Sequence, residues 1–464
     1  MSARPEQEDA MRMPRLPVLI AVAGLALASC GTGAPAEGGT VTLTIAANSI
    51  SGGKNSESAD WIKNWVIPEF EKTHQNVKVL FQPSGVDDEQ YKTKLALDLK
   101  SGAGADVIDV DGIWVGEFAQ AGYIKPLAEV GGAAVDSWEG WSQIPQAVQG
   151  LGIFDGKKYG LPQGTDGRVL FYNKTLFGKA GLPADWQPAS WQDIIDAGEK
   201  LKAAGVPTPI QINAGTAMGE ATTMQGVLPL LAGAGAEIYS QGKWTGASQA
   251  MKDVLGFYER IYGGSGLGDP KLQQEAKGRD KSFTQFADGK IAILLEGDYF
   301  WRSVIEPNAG VAPMKDRDQV VGYARIPAKE PGAGIRGQDH ASMSGGAVRV
   351  LNPRSADPRL AWELLAFMHS AAATESQLAG QVRISSRTDV NDEVLAGDPM
   401  LGYIADEVLP ITAYRPGLAV YPQVSVALQE ATADIVSGRS ADEAAAAYQA
   451  KLEELAGGAA NVSG

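Results

Sequence analysis

Residues 91–127, YKTKLALDLKSGAGADVIDVDGIWVGEFAQAGYIKPL, carry the alternation on which the fold turns. Tyr91, Leu95 and Leu99 recur at the spacing of one helix face, so 87–101 is expected as a helix that Gly102 stops. The run DVIDV at 106–110 reads as a strand, and Asp111-Gly112-Ile113-Trp114 leads directly into a short helix through Phe118. Strands alternating with helices build right-handed crossovers on a mostly parallel sheet.

The same rhythm extends in both directions. Toward the N-terminus, VTLTIAA at 41–47 is a strand ending in Asn48 and Ser49. Trp61, Ile62, Trp65, Val66 and Phe70 then keep helical spacing across a kink expected at Pro68, and NVKVLF at 76–81 is a second strand. Beyond Asp155 the rhythm changes to two closely spaced strand-like pieces, 158–161 and 168–173, before the alternation restarts. Ser190 and Asp193 are spaced as a capping box, and Asp357-Pro358 as an N-cap and first helical residue. IAILL at 291–295 follows a Gly289 turn, and GYARI at 322–326 and AVRVL at 347–351 are further strands. The C-terminal region is helical through 428–436, breaks at Gly438, and resumes with Ser440 and Glu443 as caps. Two α/β lobes, each with its own sheet, fit this count.

The chain has 464 residues, of which 44% are hydrophobic and 20% charged, as in a folded globular protein with ample core. Its 40 Lys and Arg against 55 Asp and Glu leave a charge of −15, which argues against nucleic acid as a partner. A single cysteine, Cys30, excludes an internal disulfide. With only three histidines (His74, His340, His369), a Cys/His zinc cage is excluded too, while an Asp/Glu calcium site stays open.

Arg12 and Arg15 precede an apolar run from Leu16 to Ala28 that ends in Ala26-Leu27-Ala28-Ser29-Cys30, the architecture of a signal peptide over 1–29. Leu27-Ala28-Ser29-Cys30 resembles a bacterial lipobox, which makes Cys30 a lipid anchor, and 30–39 reads as a flexible tether. The folded part is then expected outside the membrane, anchored to the outer face of the cell membrane.

Most catalytic motifs are absent. Gly332, Gly334 and Gly337 spell GxGxxG, but prolines precede it and Gly345-Gly346 follow, so a loop is expected rather than a nucleotide site. No P-loop, GxSxG or HExxH occurs. Asp111, Asp166, Glu296 and Asp298 fall at strand or loop ends, and a glycosidase needs two facing carboxylates.

Ligands of open α/β sheets bind beyond the carboxyl ends of strands. That rule selects Asn48 and Ser49, Asp111 and Trp114, Thr165, Asp166 and Arg168, then Glu296, Gly297, Asp298, Tyr299 and Trp301, and Gly345 with Gly346. Aromatics interleaved with Asp, Asn and Arg suit a sugar, whose C–H face stacks on a ring while its hydroxyls bridge carboxylates and guanidiniums.

The strings EFEKTHQNVKV, DGKKYGLPQGTDGRVLFYNKTLF, FADGKIAILLEGDYFW and RPGLAVYPQVSVALQEATADIVSGRSADEAAAAYQAKLEEL, together with 91–127, resemble the extracellular solute-binding proteins of carbohydrate ABC importers. The likeness is closest to their maltose- and trehalose-binding branch. It implies a two-lobed, type II periplasmic-binding-protein-like fold, each lobe a mostly parallel sheet flanked by helices, with a hinge between. On this chain the lobes would be 40–165 with 325–372, and 166–324 with 373–464.

The resemblance further implies that Asp111 and Trp114 bind sugar from lobe one, that Thr165, Asp166 and Arg168 sit at the hinge, and that Asp298 and Trp301 answer from lobe two. Gly345-Gly346 would let backbone approach the ligand, Arg415 would fork onto hydroxyls, and Glu220 and Gln225 would join from a loop before a helix. Where many members have an Asn- or Gly-Pro-Trp turn this chain has Glu-Gly-Asp-Tyr-Phe-Trp, which leaves the stacking residue open. The expected protein is a monomeric, cofactor-free receptor that hands an α-glucoside or related sugar to membrane permease subunits. The alternatives are a non-sugar solute on the same fold, a secreted glycosidase using Asp111 or Asp298, and a structural lipoprotein.

Overall fold

The computed structural model describes residues 40–464 apart from 54, 87, 380 and 381. The expected leader, Cys30 and the tether lie outside the described residues.

The run VTLTIAA forms the strand Val41–Ala47, at the second position of a five-stranded sheet. Val77–Pro83 and Val107–Asp111 pair with it in parallel on either side. Leu43, Ile45 and Val107 bury one face under Trp61, Ile62, Val66 and Phe70. Ala46, Ile108 and Val110 bury the other under the expected stripe, Tyr91, Leu95 and Leu99, of the helix Asp88–Ser101. Each buried Leu, Ile, Val or Phe among them contributes about 1.5–3 kcal/mol relative to exposure. Gly102, at φ +82°, ends that helix in the left-handed region.

Between Ser56 and Thr73 the helix carries a π-type turn at Ile62–Val66 just ahead of Pro68. Proline has no N–H to give the preceding turn, and the wider turn absorbs the missing bond, which is the kink expected there.

The sheets are mixed rather than mostly parallel. Ala347–Leu351 inserts antiparallel between Val107–Asp111 and Gly160–Pro162. It enters at the sheet edge where Val107–Asp111 leaves, with Ala347 opposite Asp111, so it has to run the other way. The second sheet, of four strands, repeats this: Ile291–Gly297 lies parallel to Thr208–Gln211 and antiparallel to Arg168–Asn173, which in turn pairs antiparallel with Val321–Ala324. The strand expected over 322–326 is interrupted at Arg325, and Ile326–Pro327 joins His340–Ser344 and Thr412–Tyr414 in a small sheet. The GxGxxG string is a loop with one short turn, as expected.

Both capping boxes form. Ser190 accepts from Asp193 N at 3.2 Å while Asp193 accepts from Ser190 N at 3.0 Å, and Ser440 with Glu443 repeats the pattern. Ser190→Ala is expected to cost about 1 kcal/mol, read as a lower urea midpoint with unchanged slope. An unchanged midpoint would count against the cap.

Candidate functional site

A cavity of about 500 Å³ opens between the two sheets, at the ends where Val107–Asp111 and Ile291–Gly297 both finish. Asn48, Ser49, Asp111, Trp114, Thr165, Asp166, Asp298, Gly345 and Gly346, all chosen by the strand-end rule, line it together.

Asp166 occupies the passage from the first sheet to the second. Its Oδ1 accepts from Gly345 N at 2.7 Å and from the Arg168 guanidinium, and Arg168 also donates to Met343 O at 3.2 Å. Arg168 is thereby held behind Asp166, buried and outside the lining. Thr165 Oγ1 meets the Tyr414 hydroxyl at 3.3 Å. Gly346, at φ +149°, has its backbone so near the carbonyl of Gly164 that a Cβ there would sit 2.4 Å from that oxygen. This glycine therefore permits two backbones to close on each other at the cavity wall.

Asp298 is 1% exposed. Its N–H donates to Gly167 O at 2.9 Å and its Oδ2 accepts from Arg302 Nε at 3.2 Å, while Oδ1 has no hydrogen-bond partner. Burial pushes its carboxyl up to about 6, the Asp166 charge adds to that, and Arg302 and Arg168 oppose it. Asp111 caps the turn that follows it, accepting from Ile113 N at 3.1 Å. Burial raises its carboxyl too, against the pull of Arg415. Asn48 donates to Asp88 Oδ1 at 2.9 Å and leaves its own Oδ1 unpaired, and Ser49 Oγ, also in the lining, is buried without a partner.

Beneath the cavity floor lies a buried cation. Arg349 and Asp109 are cross-strand partners, with Nε 3.0 Å from Asp109 Oδ1. Arg349 also donates to Gln163 Oε1 at 2.8 Å and faces Trp61, its guanidinium carbon 5.1 Å from the ring centroid. Asp109 and Gln163 both line the cavity, so Arg349 fixes two of its walls from behind.

Four further candidates stand elsewhere. Trp301 is packed in the core: Nε1 donates to Asp398 Oδ2 at 3.2 Å and the Arg317 guanidinium lies 3.8 Å from its ring centroid. Arg302, one residue on, lines the cavity in its place. Glu220 and Arg415 bind each other at 3.0 Å, and Glu220 also accepts from Tyr421 at 2.7 Å and from Ser425, so the pair is spent within its own wall. Gln225 is buried inside a π-type turn. The carboxylate Glu296 is 0% exposed and held by both Arg279 nitrogens at 2.9 and 2.8 Å, by Asn213 and by Tyr299, so both its oxygens are spent outside the cavity lining.

The sequence reading missed Asn55, Glu57 and Ser58, and the stretch that supplies Thr374, Gln377, Arg383 and Ser385. None follows a strand. The signal available was the run of small and polar residues after the apolar helix Pro358–Met368. Among the described residues no cluster of three His, Cys, Asp or Glu could hold a metal ion, and no helix is long and apolar enough to cross a membrane.

A family model described as bacterial extracellular solute-binding protein matches residues 54–375. The chain belongs to that family. Among its relatives, a binding protein of Brucella abortus is 30% identical over 184 residues, 40% of each chain. The galactooligosaccharide-binding protein of Bacillus subtilis is 29% identical over 185 residues, 38% of each. These matches thus span less than half the length of either relative. Among solved structures, the sugar-binding protein MalE of Xanthomonas citri superposes with a TM-score of 0.71, covering 89% of this chain and 97% of that one at 18% identity. What this solute-binding protein shares with it is the two-lobed fold.

Proposed function

We propose that the protein is the receptor of an ABC importer and captures a sugar or short oligosaccharide, an α-glucoside or a close relative, between its lobes, without catalysis. One observation carries this reading. Asn48 Oδ1, Ser49 Oγ and Asp298 Oδ1 are buried without a partner, on three residues that line one cavity. Buried polar atoms are normally satisfied, so three of them around one space call for a ligand rich in hydroxyl donors. Tyr91 and Trp114 on the same wall supply aromatic surface for its C–H face. The family, and the galactooligosaccharide named for one relative, support the same class.

In this reading the lobes are 40–165 with 325–372 and 166–324 with 373–464, and closure is the signal that membrane permease subunits recognise. Cys30 anchors the monomeric protein to the outer face of the membrane by a lipid, which mass spectrometry of the native protein tests directly.

A thermal-shift screen against mono-, di- and trisaccharides tests the function. Ligand at one hundred times its Kd stabilises the folded state by about 2.7 kcal/mol, so a sugar of the right class raises the melting temperature. If no saccharide does so, the sugar reading fails.

A further inference from the structure

Two surfaces that belong to different hydrophobic cores meet beside the cavity. Trp114, Val115, Phe118 and Leu151 are buried with the first sheet, in one core with Ile108 and Val110. Ala413, Leu418 and Tyr421 are buried with the second, in one core with Leu170 and Ile293. Residues 414–417 run along the boundary, and three of the four reach back to the first lobe. The Tyr414 hydroxyl meets Thr165 Oγ1 at 3.3 Å, and its ring packs against the first core. Arg415, bound to Glu220 at 3.0 Å, acts on Asp111 and offsets part of what burial costs that carboxylate. Gly417 lies backbone to backbone against the short helix Val115–Gln120.

Glycine is what permits this last contact. A Cβ on Gly417 would sit 2.8 Å from Gly116 N and 3.0 Å from Ile113 O, and one on Gly116 would sit 2.4 Å from Gly417 O. Neither residue has its φ in the left-handed region, so neither position needs glycine for a turn of its own. At Gly116, inside a helix, alanine would be preferred by up to about 1 kcal/mol. The two glycines therefore serve the approach of one surface to the other. The space left between those surfaces is about 30 Å³, the volume of a single water.

We propose that residues 414–417 form a latch that holds the two lobes in the conformation described here, and that Gly417 sets how readily it releases. This rests on the two-lobed receptor reading and adds the element that biases closure. Gly345 lines both the ligand cavity and the space at the latch, so parting the two surfaces also opens the cavity wall. A receptor that binds only when latched loses apparent affinity in proportion to the latched fraction.

Small-angle X-ray scattering of the full chain, with no saccharide added, tests this. The radius of gyration is expected to rise in the order wild type, Gly417→Ala, Gly417→Val, because the added carbons meet only backbone of the first lobe and are seated by parting the surfaces. Gly402→Ala, at a helical position where a Cβ meets nothing within 4 Å, is expected to scatter as wild type does. Should Gly417→Val fail to fold, as read from circular dichroism, Gly417→Ala carries the comparison. Equal radii for wild type and the folded Gly417 variants overturn the latch. No sugar enters the measurement, so a failed saccharide screen and a failed latch are separate results.

Discussion

Arg349→Met is expected to lower the unfolding free energy by about 3–5 kcal/mol, the usual cost of removing one partner from a buried ion pair. Arg349 is 1% exposed and sits on the fourth of the five strands of the first sheet, beside the central one. Without its guanidinium, Asp109 keeps a charge that burial already disfavours and that Arg349 does most to offset. Gln163 loses the donor on its Oε1. His369, pushed well below its usual range by burial and by Arg349 and Arg387, loses one of the two guanidiniums near it and stays buried.

Adding Asp109→Leu to Arg349→Met is expected to restore most of the loss, because the pair is then replaced by apolar groups of similar bulk rather than broken. Urea unfolding of the two single variants and the double variant, read as a cycle, measures the coupling. A loss under 1 kcal/mol in Arg349→Met would show that water reaches Asp109 in its stead.

Asp298→Asn is expected to stabilise the protein at neutral pH while weakening its grip on ligand. A carboxyl raised from 3.8 to about 6 is destabilising when ionised. The native state holds the proton over that window and the unfolded chain has released it, so stability falls as pH rises from about 4 to 6 and stays reduced above. The penalty at pH 7.5 is on the order of 2–3 kcal/mol. Asparagine mimics the neutral form and removes it. The difference between wild type and variant in urea unfolding is therefore expected to be large at pH 7.5 and nearly absent at pH 4. Parallel pH profiles for the two proteins would remove Asp298 as the source. The stored repulsion is the cost of a group kept for binding rather than for folding.

Much of the fold was legible because its strands announce themselves by composition. Val41–Ala47, Val107–Asp111 and Ile291–Gly297 are runs rich in β-formers, and their carboxyl ends led to Asn48, Asp111, Trp114 and Asp298. The direction of the strands was not legible. Only the entry of Ala347–Leu351 beside Asp111 sets it antiparallel, and nothing local encodes that. Trp301 shows the limit at residue scale. An aromatic four positions past a strand has no face until the helix phase is known, and here a π-type turn at Phe300–Val304 sends Trp301 to the core and Arg302 to the cavity. The Asp109–Arg349 pair was invisible for another reason: its partners are 240 residues apart and meet only through sheet register.

That separation also has a meaning in time. A ribosome adding roughly 5–20 residues per second takes on the order of tens of seconds to travel from Asp109 to Arg349. Throughout that interval the nascent first lobe has a strand edge with no neighbour and an acid with no counter-ion, so it gains little by folding early. Synthesis itself thus holds the first third of the polypeptide open until the strand that locks it has been made.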